Sequence, residues 1–86
     1  MTETNWYVYL AKCADDTLYT GITNNLERRM KQHNGKLQGG ARYTSGRRPV
    51  VLVWYEKVFS RSQAHKREIE IRSLSKDQKT RLTFES

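Results

Sequence analysis

Residues 7–33 constrain the fold most. Tyr7-Val8-Tyr9 leads into a turn at Asp15-Asp16, Tyr19-Thr20-Gly21 follows, and Arg29 and His33 close the stretch. Residues 6–13 are rich in aromatic and β-branched side chains and read as a strand. Strand alternation puts Trp6, Val8 and Leu10 on one face and Tyr7, Tyr9 and Ala11 on the other. Both faces are mostly apolar, so the strand should be covered on both sides. Ala14-Asp15-Asp16-Thr17 is turn chemistry, because Asp side chains bond to backbone two residues on. Residues 18–22 then return as the second strand of a hairpin. An odd-residue loop puts Tyr9 and Tyr19 on one face, and an even one separates them.

Gly21 lies inside the second strand, where a missing side chain marks either a bulge or a close approach. Asn24 reads as the N-cap of a helix, with Glu27 three residues on completing a capping box. The helix should reach about His33 and stop at Asn34-Gly35. Leu26 and Met30 form its apolar stripe, with Arg29 and His33 beside it on one side. Spacing alone favours a plain reading, in which Arg29 snorkels and His33 caps the helix C-terminus.

Residues 35–49 carry four glycines and a proline, with Lys36, Arg42, Arg47 and Arg48 interleaved with Tyr43, Thr44 and Ser45. A loop of that length is unusual in a compact domain unless it works. Its cations, hydroxyls and ring suit nucleic-acid phosphates and bases. The apolar run of residues 50–55, extending towards Phe59, reads as a strand at the centre of a sheet. Ser60 with Gln63 opens a helix to about Ser73, with Ala64, Ile71 and Leu74 on its apolar stripe. Glu68 falls inside that stripe, where a carboxylate is costly without a partner. Arg72, four residues on, supplies one candidate, and a metal ion or a cationic site supplies another. Ser75 with Gln78 starts a short last helix carrying Leu82. The expected fold is a small α+β (or α/β) sandwich, one three-stranded, mostly antiparallel sheet flanked by helices in the order β-β-α-β-α-α, as a single domain over 1–86.

Charge points to a partner. The 86 residues carry a net charge of +7. Residues 1–27 hold four acids and only Lys12, whereas residues 28–48 hold seven bases and no acid. Such asymmetry suits a polyanion, nucleic acid before membrane. The single Cys13 excludes an internal disulfide and cysteine-rich zinc modules and fits a reducing cytosol, hence a cytoplasmic protein. No apolar run approaches the ~20 residues of a membrane span, and a secretory signal is not expected at the N-terminus.

Tyr7-Val8-Tyr9, Tyr19-Thr20-Gly21, Arg29 with His33, and Ala64 with Glu68, in that order, resemble the GIY-YIG nuclease domain. The resemblance spans nearly the whole chain and looks closest to small standalone bacterial members of the YhbQ type. Residues 39–49 are also similar to Slx-type structure-selective nucleases. The resemblance implies catalytic roles for Tyr9, Tyr19, Arg29, His33 and Glu68, a structural role for Gly21, and one Mg²⁺ (or Mn²⁺) ion held through Glu68. It implies phosphodiester hydrolysis in DNA, single-stranded or branched, in repair, recombination or processing, with a protein partner as one source of specificity. Arg29 would offset charge on the reacting phosphate. Tyr9 or Tyr19 would handle the attacking water with help from His33, and the choice between the phenols stays open. The first tripeptide lacks the family's leading glycine, and no downstream asparagine match is found. A non-catalytic or partner-dependent nucleic-acid-binding module on the same fold is the alternative.

Overall fold

The computed structural model describes residues 5–84. Three strands, β1 (Trp6–Lys12), β2 (Leu18–Thr23) and β3 (Val51–Val58), form one antiparallel sheet in the order β2-β1-β3. The helices are α1 (Leu26–His33), α2 (Arg42–Ser45), α3 (Arg61–Arg72) and α4 (Lys76–Phe84). The expected element order holds, with the one-turn α2 added inside the 35–49 segment. None of the helices is long and apolar enough to cross a membrane, among the described residues.

β1 is the central strand because it alone has two apolar faces to bury. Val8 and Leu10 are inaccessible on one face, packed with Ala64 and Ile71 of α3. Tyr9 and Ala11 are inaccessible on the other, in a cluster that Leu26 and Met30 of α1 complete. The sheet is thus a filling between α1 and the α3–α4 pair.

β3 was expected at the centre and lies at an edge, with Val51 56% and Tyr55 54% exposed. Its unbroken apolar run has another cause. The pairing with β1 steps from Leu10–Trp54 to Ala11–Leu52, so Val53 is an extra residue in a β-bulge. Val53 and Trp54 both join the α3 side, while Leu52 joins the α1 side. A bulge that suspends alternation mimics, in sequence, a strand covered on both faces.

The hairpin turn comprises residues 13–17, an odd number, and Asp15 Oδ1 accepts from Thr17 N (3.2 Å) and Thr17 Oγ1 (2.6 Å). Tyr9 therefore pairs with Gly21 and Ala11 with Tyr19, which sets both phenols on the α1 face. The N-cap of α1 is Asn25 rather than Asn24. Asn25 Oδ1 accepts from Arg28 N at 2.9 Å, because β2 continues through Thr23, whose hydroxyl takes the Asn25 N–H. Glu27 closes no capping box there and faces Lys31 at 3.6 Å. Ser60 and Ser75 accept from the N–H groups of Gln63 and Gln78; Gln78 Oε1 returns to the Ser75 N–H and closes its box, whereas Gln63 Oε1 takes the N–H of Phe59, one residue earlier.

Asn34, just after α1, ties that helix to the sheet. Its Nδ2 donates to Val50 O (2.8 Å) and its Oδ1 accepts from Val50 N (2.7 Å). Asn34→Ala leaves both backbone groups of buried Val50 without these partners, and unsatisfied buried groups cost about 1–3 kcal/mol. We expect urea denaturation to show a loss of about 2 kcal/mol; a loss below ~0.5 kcal/mol would mean the tie is not structural.

Candidate active site

The site begins with Tyr9. Its ring lies over Gly21 on the neighbouring strand, where an added Cβ would meet Tyr9 Oη at 2.5 Å and Tyr19 Cε2 at 2.9 Å. The β1–β2 register runs evenly past Gly21, so the glycine marks a close approach and not a bulge. What approaches is a phenol of the same protein.

Tyr9 Oη lies 2.7 Å from His33 Nε2, and His33 Nδ1 lies 2.8 Å from Thr44 Oγ1. The Thr44 hydroxyl directs its one proton to Ala41 O at 3.0 Å. It must therefore accept from His33 Nδ1–H, and Nε2 must accept from the Tyr9 O–H. All three side chains in this relay are fully buried. Burial, then the Arg29 and Arg48 guanidiniums, lowers the His33 pKa from 6.5 to about 4. His33 is thus neutral and inward-facing, and the expected role of C-terminal helix cap falls to Arg48, whose Nε donates to His33 O at 2.7 Å.

Burial likewise pushes Tyr9 up to about 12. Arg29 beside it pulls down, while Tyr19 and Glu68 add to the rise. Four of the five expected catalytic side chains thus share one electrostatic neighbourhood, with the fifth, His33, bonded to Tyr9. Their exposure differs. Tyr9 and His33 form the floor, and Tyr19 rests on that floor with its ring centroid 5.0 Å from the imidazole. Tyr19, Thr20, Tyr43, Glu68, Arg72 and Lys79 line an open cleft of about 230 Å³. Arg29 lies round the β2 edge on the wall of an adjoining cleft, its Nη1 holding Gln32 Oε1 (2.9 Å) and Gly39 O (2.8 Å).

Glu68 is only 14% exposed, yet its contacts are long: 3.5 Å to Arg72 Nη1 and 3.6 Å to His65 Nδ1. The plain helix pair with Arg72 is present but loose. Thr20, in the wall of the same cleft, keeps a buried hydroxyl oxygen with no hydrogen-bond partner among the described residues. Among those residues no three of His, Cys, Asp and Glu gather as a metal cage. A loosely held carboxylate on a cleft that also has Thr20 in its wall fits a hard oxygen-seeking cation that keeps most of its water, and does not fit zinc.

The 35–49 segment departs most from expectation. Thr44 is buried against His33 and is not a contact for nucleic acid. Arg48 is turned onto the end of α1, and its guanidinium fills the space over Gly35. Arg47 binds Asp15 at 2.9 Å and covers one face of the Tyr43 ring at 4.2 Å, so Tyr43 is less open to a base than the sequence suggests. Lys36, Arg42 and Ser45 are exposed. Lys79 and Thr20 escaped sequence reasoning, because nothing in the spacing ties α4 or the middle of β2 to Glu68.

The GIY-YIG catalytic domain family matches residues 5–81 of the chain. A UPF0213 protein of Desulfotalea psychrophila is 53% identical over 77 residues, covering 90% of this chain and 69% of the relative. One from Staphylococcus haemolyticus is 51% identical over 80 residues, covering 92% and 94%. The solution NMR structure of a UPF0213 protein from Bacillus halodurans superposes with a TM-score of 0.55 at 42% identity, covering 91% of this chain and 81% of that one. With its hairpin phenols, α1 guanidinium and imidazole, and α3 carboxylate arranged around one strand edge, the chain belongs to the GIY-YIG catalytic domain family, among its UPF0213 members.

Proposed function

We propose that the protein is a metal-dependent endonuclease that hydrolyses phosphodiester bonds of DNA in repair, recombination or processing. The observation that carries this reading is Glu68, a nearly buried and loosely paired carboxylate facing the Tyr19 phenol across a cleft open to a phosphate. Glu68 would hold one Mg²⁺ or Mn²⁺ ion in the cleft whose wall it shares with Thr20. When bound, such an ion supplies positive charge to the scissile phosphate and the leaving oxygen.

The chain's own residues divide the remaining work. Tyr19 is the phenol that reaches the cleft, so it orients the attacking water and, once ionised to the phenolate, takes that water's proton to become the phenol again. Tyr9 is sealed beneath, with its hydroxyl proton directed to His33, and acts as a positioning residue for the Tyr19 ring. Arg29 commits its Nη1 protons to the neutral oxygens of Gln32 and Gly39 and forms no ion pair with a carboxylate among the described residues, so its charge can turn on a phosphate. Exposed Lys36 and Arg42 would hold more distant phosphates.

Two results test this reading. Labelled single-stranded, duplex and branched DNA should be cut with Mg²⁺ and not with chelator; Glu68→Ala should abolish cutting, and Tyr19→Phe should slow it ~10²–10⁴-fold. Cleavage that survives both chelator and Glu68→Ala would overturn the metal role, and binding without cleavage of any substrate would favour a binding module. The second result concerns pH. Because the His33 pKa is lowered from 6.5 to about 4, the unfolded chain takes up a proton that the folded chain refuses between those values. The stability due to this group is complete above about pH 6.5 and declines as pH falls towards 4, by on the order of 3 kcal/mol. Denaturation of the unaltered protein and His33→Gln across this range should show a steeper decline for the former; parallel curves would contradict a buried neutral imidazole.

A further inference from the structure

The free edge of β2 continues past the Glu68 cleft. At Ile22 and Thr23, between α1 and the start of α3, a second cleft of about 370 Å³ opens, walled by Trp6, Arg28, Arg29, Gln32 and Arg61. What sets it apart is that three guanidiniums line one cleft. Many cations elsewhere face carboxylates: Lys12 and Lys76 share Asp16, Lys31 faces Glu27, Arg47 faces Asp15, and Arg67 bridges Glu56 and Glu70. Among the described residues, no carboxylate forms an ion pair with Arg28, Arg29 or Arg61. Arg28 donates to the neutral Asn24 amide at 3.0 Å, and Arg61 sits 5.8 Å from the centre of the Trp6 ring.

Three guanidiniums around one cleft repel each other, and an anion between them removes that penalty. Guanidinium forks match phosphate oxygens better than any other biological anion except carboxylate. Position decides between those two. Arg29 lies on this wall and also acts on Tyr9, so the cleft adjoins the catalytic centre. From Thr20 to Thr23 the strand advances about 10 Å at ~3.3 Å per residue. A nucleic-acid strand with one phosphate at Glu68 spans that interval in a few nucleotides.

We propose that the Arg28–Arg61 cleft is a second phosphate subsite, which grips the backbone of the same DNA strand a few nucleotides from the bond held at Glu68. The proposal rests on the nuclease reading for its direction and on the unpaired arginines for its charge. The subsite fixes the path of the strand, along the β2 edge from α4 to the head of α1. Arg28 and Arg61 are its grip, while Arg29 is shared with the reacting phosphate.

The test is binding of a short fluorescent single-stranded DNA, without divalent metal, across ~50–200 mM salt. Each phosphate of a single strand that a variant no longer neutralises lowers the slope of log affinity against log salt by about 0.7. The Arg28→Ala/Arg61→Ala double variant should bind about tenfold more weakly with a slope smaller by about 1.4. Arg61→Lys should keep the slope, and Lys57→Ala, on exposed β3, should leave affinity and slope unchanged. Both arginines are exposed, and matching thermal unfolding of the variants will confirm that the fold is kept. An unchanged slope in the double variant overturns the subsite, and with Mg²⁺-dependent cleavage intact it spares the nuclease reading. A reduced slope in a protein that cleaves nothing supports the subsite and contradicts that reading. No binding by the unaltered protein contradicts both.

Discussion

Everything at this site hangs on the hydrogen bond between Tyr9 and His33. It joins the central strand to the end of α1 across a separation of 24 residues, in a place closed to outside solvent. A buried hydroxyl and imidazole are tolerable only when each is satisfied. Thr44 completes the set, and α2 exists where it does because Thr44 must reach His33 Nδ1. Gly21 completes it from the other side by leaving room for the Tyr9 ring. Polar burial thus rigidifies four separate segments around one ring, and Tyr19 is positioned by resting against it.

The edge position of β2 turns that rigid floor into a usable surface. A central strand would have been walled in by a neighbour on each side. With only β1 beside it, β2 leaves its outer rim open between α1 on one face and α3 on the other. Glu68 reaches this rim from α3, and Arg29 reaches it from α1. Side chains on opposite faces of the sheet meet at its edge, which neither face could achieve alone. The burial of Glu68 in α3 is incomplete for the same reason, which keeps down the cost of its charge, since the rim is where the sheet stops covering the helix.

Much of this was legible in the sequence where local chemistry decides structure. The Asp15 turn, the two faces of β1 and the Ser-led helix starts follow from residues within a few positions of each other, whereas the odd length of that turn was left open until the strand ends were placed. Glu68 stood out because a carboxylate in the stripe of Ala64 and Ile71 conflicts with burial. The failures share a different character. His33 looked like an end cap because helical spacing cannot reveal a partner in a strand 24 residues away. Thr44 looked like Ser45, and only the tertiary contact with His33 separates them. β3 looked central because the bulge at Val53 hides its exposed face. Asn25 replaced Asn24 because one more residue of β2 was recruited into the sheet. Long-range contacts, then, account for what spacing could not supply.

The central claim is that the site is preassembled around a neutral His33 with its proton on Nδ1. Imidazole ¹⁵N NMR on labelled protein measures this directly. The account predicts that near neutral pH His33 shows a protonated Nδ1 and an unprotonated Nε2, and that this pattern persists until pH approaches about 4. A His33 that carries its proton on Nε2, or that titrates near 6.5 as an unperturbed imidazole does, would contradict it.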